Sequence, residues 1–264
     1  MIEMSSSLCD TLWLSEKRKN LLLLLMEGPR DMGQIKTSLN VTSKAMTPQV
    51  KILLKDELVV LEEDSYELSE IGRLVVGNML PLLNTLEVIE DNREYWASRD
   101  LSILPENLFL RLGELGECML IEPDLNHMFD LPREFTENLK KAGKILTLVS
   151  YYHPLYPSLY SELAESGVEM SIVVTEPVLD RMKNECKEDF ETIINAENTQ
   201  LEVCSEKPGL PTLAITDRFM YLCLFDKQGK YDHSKIMSFD ASALKWGREL
   251  FMHYRKETRK VSDA

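Results

Sequence analysis

His233, Lys235 and Asp240 follow the spacing H-x-K-x-x-x-x-D, which suits chemistry on a phosphodiester. In that chemistry a histidine attacks phosphorus and a lysine binds the phosphate. The reaction needs two such elements at one centre, whereas the chain holds one copy, so a dimer would have to supply the second. Asp240 is also well placed to cap the last helix. We therefore predict that the chain has no catalytic residue.

Two predicted strand-to-helix turns carry polar and aromatic residues that could bind a ligand and need not catalyse a reaction. In open α/β sheets, ligands bind near the carboxyl ends of strands, and the N-terminus of a following helix attracts anions. An aromatic packing cluster at the first turn and a simple helix cap at the second are the alternatives. The candidates for binding a small-molecule effector are Tyr151, Tyr152, His153, Thr175 and Glu176.

The five cysteines lie far apart and form no C-x-x-C pair. Cys118 and His127 could approach each other, but no further ligands stand at the spacing that a metal site needs. Cys204 and Cys223 lie in apolar runs, which is typical of small core residues. We predict reduced thiols, no metal and no cofactor.

The charge of the chain is unevenly distributed. The formal net charge is −14, which disfavours nucleic-acid binding because lysine and arginine must neutralise phosphates. Residues 30–55 nevertheless contain five basic residues against the single acid Asp31, a local excess that indicates a confined nucleic-acid footprint. The longest apolar run, 21–26, is too short to span a bilayer, so we expect a soluble cytoplasmic protein with no membrane partner.

The first third of the chain predicts a helix over 12–26, a second from Asp31 to Leu39, and a third that Thr42 caps. In the third helix Met46, Val50, Leu53 and Leu54 recur at helical spacing and must face inward. The opposite face is polar and basic, and the second helix adds a further lysine for phosphate contact. The predicted DNA-binding residues are Lys36, Ser43, Lys44, Thr47, Gln49 and Lys51, with Lys44, Thr47 and Gln49 as the candidates for reading bases.

Two short β-rich runs at 58–61 and 66–68 flank an acidic turn and predict a hairpin. Residues 61–70 carry five acids and no base, which argues against phosphate contacts by this hairpin. A long helix follows, and its apolar stripe exceeds what a small domain can cover. The candidates for a dimer interface are Leu74, Met79, Leu82, Leu83, Leu86 and Ile89.

From residue 95 onwards, strands alternate with helices, which indicates a largely parallel α/β sheet with a closing meander and a terminal helix over 241–260. The predicted fold class is therefore an α+β winged helix-turn-helix followed by an α/β sensor domain with a mixed, largely parallel sheet. The predicted domains are residues 1–95 and 96–264.

The first-domain segments "VTSKAMTPQVKILLKDELVV" and "YELSEIGRLVV" resemble the winged-helix regulators of the ArsR and MarR type. Together with them, "EYWASRDLSILPENLFLRLGEL" and "PTLAITDRFMYLCLFDKQGKYD" look like the archaeal methanogenesis-regulator family. This resemblance implies a sensor domain related to the phospholipase-D-like fold. In that fold the catalytic histidine and lysine would fall at Leu210 and Thr212, on the strand that ends at Asp217, so the resemblance also implies a non-catalytic domain.

The sequence as a whole predicts a homodimeric transcriptional regulator that binds double-stranded DNA and whose C-terminal domain senses a signal. Two alternatives come from other classes of protein. The acidic hairpin and the net charge favour a winged-helix adaptor that binds proteins and not DNA. The H-x-K-x-x-x-x-D spacing keeps a phosphodiesterase as the remaining alternative.

Overall fold

The computed structural model describes residues 7–123, 130–204 and 208–261. The chain divides into two compact units, Met1–Leu83 and Asn84–Ala264, referred to below as the first and second unit. The division falls inside the long helix, earlier in the chain than the boundary predicted after residue 95. The last turns of that helix, residues 84–91, therefore belong to the second unit.

The first unit consists of helices and one hairpin. The prediction of a single helix over 12–26 is wrong, because Ser15 is extended and its hydroxyl caps a new helix by accepting from the amide of Arg18. The elements are α1 Leu8–Trp13, α2 Glu16–Met26, α3 Met32–Leu39, α4 Ser43–Lys55, β1 Val59–Glu62, β2 Ser65–Leu68 and α5 Glu70–Asp91.

Helices α3 and α4 are joined by a tight turn, and the residues at the ends of the two helices explain why the chain turns there. Asp31 and Gln34 form a capping box at the start of α3, which satisfies two backbone amides that the helix leaves unpaired. Asn40 ends α3 in the left-handed conformation with φ of 50°, and Thr42 caps α4 through its hydroxyl, as predicted. The helix-turn-helix is thus fixed locally by side chains that bind their own backbone.

The inward face of α4 packs as its periodicity predicts. Met46, Val50 and Leu53 are buried, and Leu54 is partly buried against the same cluster. Leucines of α2 and Ile35 of α3 complete this core. Burying an aliphatic side chain of this size contributes roughly 1.5–3 kcal/mol, so packing on α2 and α3 holds α4 with its opposite face outward.

The predicted hairpin is confirmed, and its turn is short. Strand β1 pairs antiparallel with β2, and Glu63 and Asp64 form the turn with φ of 45° and 69°. Two successive positive φ values match the twist of a two-residue hairpin. Beyond the hairpin, Ser69 starts α5 by accepting from the amide of Gly72 at 2.9 Å.

The second unit has an eight-stranded sheet with helices on both faces. One expectation about its helices is corrected. The last helix ends at Arg255, after which the chain adds a short strand. The helices are α6 Arg93–Ser98, α7 Glu106–Phe109, a 3-10 turn Leu112–Leu115, α8 Arg133–Leu139, α9 Tyr156–Glu165, α10 Glu176–Glu185, α11 Lys187–Asn195 and α12 Ala241–Arg255.

The strands of the second unit form a mixed sheet, which confirms the predicted fold class. Among the described strands the parallel pairings are β4–β5 and β5–β6, and the other neighbours are antiparallel, so the parallel part is smaller than predicted. The order is β10-β6-β5-β4-β7-β8-β9-β3. The strands are β3 Cys118–Ile121, β4 Lys144–Val149, β5 Glu169–Thr175, β6 Thr199–Cys204, β7 Thr212–Thr216, β8 Met220–Cys223, β9 Lys235–Ser238 and β10 Thr258–Lys260.

Candidate functional site

The outer face of α4 carries the predicted polar and basic side chains at the surface. Ser43, Lys44, Thr47 and Lys51 are all exposed, and α4 contains no acidic residue. Lys36 of α3 is exposed as well. Within the described ranges, these three lysines have no ion-pair partner. Their charges are therefore available to an anionic partner such as a phosphate backbone.

Gln49 has a role that the sequence did not indicate. Its side-chain oxygen accepts from Arg18 Nη1 at 3.0 Å and from Ser15 Oγ at 3.3 Å. Arg18 Nε also donates to the carbonyl of Thr11 at 2.6 Å. The Gln49 carbonyl thus ties α4 to α2, and through Arg18 to α1, while its role in reading bases stays a prediction. Its position thirty-one residues from Arg18 left no local signal for the contact.

The basic surface does not extend to every neighbouring residue. Arg30, counted in the basic segment, is half-buried and pairs with Glu27 at 3.2 Å. Glu62, Glu63 and Asp64 are exposed at the tip of the hairpin. Positive charge is thus concentrated on α4 and α3, and the hairpin tip presents carboxylates.

The candidate dimer residues of α5 separate into two groups. Leu74, Leu82 and Leu86 are exposed together with Ile71, at helical spacings that place them along one stripe. Met79, by contrast, is buried in the core of the first unit and cannot contact a second chain, which corrects its prediction. The remaining two, Leu83 and Ile89, are half-buried against the cores of the first and the second unit.

In the second unit, Tyr151 contacts two residues from a distant part of the sequence. Its ring lies 4.9 Å from that of Tyr231 and 5.9 Å from that of His233, and the last two rings are 4.5 Å apart. His233 is held by a backbone φ of 63°, which is uncommon for a residue with a side chain. Tyr231 donates from its hydroxyl to Cys223 Sγ at 3.6 Å.

Tyr152 and His153 have structural contacts away from this group. The guanidinium of Arg181 lies 3.9 Å above the Tyr152 ring, and the Tyr152 hydroxyl is 3.4 Å from Cys186 Sγ. Burial and this thiol raise the pKa of Tyr152. His153 Nδ1 accepts from the amide of Leu155 at 3.2 Å, just before α9. The predicted strand end therefore supplies one exposed aromatic residue, Tyr151, and two that stabilise the helices behind it.

Thr175 and Glu176, the candidates at the second strand-to-helix turn, are less available to a ligand than Tyr151. Thr175 is buried at the end of β5, and Glu176 pairs with Arg259 of β10 at 2.6 Å. Their part in binding an effector stays a prediction.

The H-x-K-x-x-x-x-D residues do not converge in the structure. Lys235 begins β9, whereas Asp240 lies beyond its other end and accepts from the amide of Glu117 at 2.8 Å. Asp240 occupies the N-cap position of α12, but its carboxylate makes no cap bond there. The spacing therefore does not describe one reaction centre in this chain.

The described residues offer neither a cluster of metal ligands nor a membrane-spanning helix. In the described part of the chain, no three His, Cys, Asp or Glu side chains are grouped to hold a metal ion, and His127 lies outside that part. Burial raises the pKa of the Cys118 thiol to about 12. Over the ranges that the structure describes, none of the helices has the length and apolar character needed to cross a membrane.

The fold and the basic helix face define a winged helix-turn-helix protein with an additional α/β unit. Two sequence models of one family match the chain, those of the N-terminal domain of methanogenesis regulatory protein FilR1 over residues 9–88 and of its middle domain over residues 128–257. The chain belongs to this family of methanogenesis regulatory proteins.

A curated relative and two solved structures are similar to the chain. Methanogenesis regulatory protein FilR1 of Methanothrix harundinacea (strain 6Ac) is 22% identical over 95% of this chain, which spans 57% of that relative's length. The structure of TrmBL2, an archaeal chromatin protein, aligns with 94% of this chain and over 94% of its own, at 16% identity and a TM-score of 0.44. The phospholipase D family member Nuc from Salmonella typhimurium covers 56% of this chain and 100% of its own, at 15% identity and a TM-score of 0.39.

Proposed function

We propose that the chain is a DNA-binding transcriptional regulator without catalytic activity, and that it acts on genes of methanogenesis or energy metabolism. The observation that carries the proposal is the outer face of α4, where Lys44 and Lys51 are exposed beside Ser43 and Thr47 and pair with no acid among the described residues. The name of the M. harundinacea relative supports the choice of target genes.

Helix α4 would enter the major groove as the recognition helix. Its N-terminal residues Ser43, Lys44 and Thr47 would then face base edges, and Lys36 and Lys51 would contact phosphates. The acidic hairpin tip would be repelled by the backbone and would point away from it. This placement accounts for DNA binding by a protein whose net charge is −14.

The second unit would sense a signal and alter DNA affinity. The exposed ring of Tyr151, which follows β4 at the sheet edge, supports this part of the proposal. The regulator would act as a homodimer, with the stripe of Ile71, Leu74, Leu82 and Leu86 as the interface. A dimer would match a pseudo-palindromic operator with two half-sites.

The test is selection of fragmented genomic DNA on the purified protein, with a Lys44→Ala, Lys51→Ala double variant beside it. We expect enrichment of a short inverted repeat upstream of genes, and loss of that enrichment in the variant. A Lys141→Ala, Lys227→Ala variant, with two exposed lysines of the second unit changed, is the matched control and should enrich the same repeat. Equal recovery by all three proteins, at low salt, would favour the adaptor function.

A further inference from the structure

The side chain of Lys235 is buried without an ionic partner. It is 9% exposed, at the start of β9, and across the described residues its ammonium group has no hydrogen bond or ion pair. Buried charges in proteins are normally paired, because an ammonium loses its hydration when it leaves water. Burial lowers the pKa of Lys235 for this reason.

The nearby acid that could have served as a partner is used elsewhere. Asp232 binds the guanidinium of Arg99 with both carboxylate oxygens, and one of them also accepts from the amide of Ser234 at 3.0 Å. His233 adds no charge at neutral pH, because burial and the Lys235 ammonium both lower its pKa. Among the residues that the structure describes, the Lys235 ammonium therefore has no carboxylate paired with it.

The strand order of the sheet brings aromatic rings to the edge where Lys235 lies. Val149, Thr212, Cys223 and Lys235 are successive partners across β4, β7, β8 and β9, so they form one row at the sheet edge. Tyr151 follows β4 at this edge, and its ring contacts Tyr231 and His233. Because Tyr151 is 40% exposed, this group of rings reaches the surface. We call Tyr151, Tyr231, His233 and Lys235 the Lys235 cluster.

We propose that the Lys235 cluster binds a small organic anion, whose carboxylate or phosphate pairs with the lysine and whose flat body packs on the rings. The proposal rests on the proposed sensory role of the second unit and names the chemical class of its effector. An ammonium supplies the charge, the Tyr151 hydroxyl and the His233 ring N–H supply hydrogen bonds, and the ring faces supply apolar contact area. An acidic group on the ligand would complete the missing ion pair.

The experiment is calorimetric titration of the full chain, without DNA, by benzoate, phenyl phosphate and benzamide. The first two probes separate carboxylate from phosphate recognition, and benzamide is a neutral molecule of nearly the same shape as benzoate. We expect saturable binding of at least one anion, at least tenfold tighter than benzamide. Lys235→Met should reduce the affinity for that anion tenfold or more and leave benzamide unchanged, while Lys235→Arg should retain anion binding.

Tyr151→Leu is a second variant at an exposed position, and it tests the same cluster if Lys235→Met does not fold. It should weaken binding of anion and amide alike. Failure of both anions to bind more tightly than benzamide, or equal binding by wild type and either variant, would overturn the proposal. Because no DNA is present, such a failure is distinct from failure of the genomic selection with the α4 variants, which tests the proposed function itself.

Discussion

At the scale of single residues, the burial of Lys235 should also affect the stability of the fold. A buried ammonium without a partner costs free energy in the unliganded protein, whereas methionine keeps the apolar stem and removes the charge. We expect Lys235→Met to raise the free energy of unfolding by about 1 kcal/mol, measured by chemical denaturation without ligand.

The matched control is Lys144→Met, since Lys144 is exposed and pairs with Glu169 at 2.5 Å. An exposed pair of this kind contributes about 0–1 kcal/mol, so its loss should have little effect. A clear loss of stability in Lys235→Met alone would show that the ammonium already has a stabilising partner, and would contradict the unpaired charge on which the cluster depends.

At the scale of elements, the close contact between α5 and the chain entering β1 depends on one glycine. A Cβ on Gly72 would lie 2.0 Å from the carbonyl oxygen of Leu58, which is closer than any real contact. Gly72→Ala must therefore push α5 away from the hairpin. We expect a loss of about 1–3 kcal/mol in the free energy of unfolding, measured by urea denaturation.

Gly77 in the same helix provides the control, because a Cβ there meets nothing within 4 Å. Gly77→Ala should instead stabilise the helix by about 0.5–1 kcal/mol, since alanine loses less backbone freedom on folding. Equal effects of the two substitutions would mean that the close approach of α5 and Leu58 does not exist in solution.

How far the elements could be predicted depends on how local their signals are. The caps of α3 and α4 and the inward face of α4 follow from residue types within one or two helical turns, and these predictions are confirmed. Strand β9 was missed because its four residues are all buried and show no alternation. Strand β10 was not predicted, because Thr258, Arg259 and Lys260 are polar and the predicted terminal helix extends through them to residue 260.

The candidate sites show the same limit. The exposed face of α4 was predictable from helical spacing, but the bond between Arg18 and Gln49 joins residues on different helices. The meeting of Tyr151 with Tyr231 and His233 depends on the order of strands in the sheet, which no short pattern encodes. The H-x-K spacing did point to His233 and Lys235, although the structure assigns them to no reaction centre with Asp240.

At the scale of the whole molecule, the exposed stripe of α5 leads to a prediction about assembly. Each exposed leucine that becomes buried in an interface contributes about 1.5–3 kcal/mol. Leu74→Glu combined with Leu82→Glu should therefore convert a dimer into a monomer of unchanged helix content, as measured by sedimentation velocity and circular dichroism.

Leu110→Glu is the control for this assembly, because Leu110 is equally exposed but lies outside α5. It should leave the dimer intact. A dimer that persists in the Leu74, Leu82 variant would place the interface elsewhere, and dissociation by Leu110→Glu would place it on the second unit.

If α4 neutralises DNA phosphates, the salt dependence of DNA binding shows it most directly. The affinity for a short duplex is measured over a series of salt concentrations for wild type, Lys44→Ala with Lys51→Ala, and the Lys141, Lys227 control. Each phosphate contact adds about 0.9 to the slope of log affinity against log salt concentration. We expect the α4 variant to bind more weakly with a slope smaller by about 0.9 for each lysine that contacts a phosphate, and the control to match wild type. A slope that is unchanged in the α4 variant would contradict the claim that this helix binds DNA.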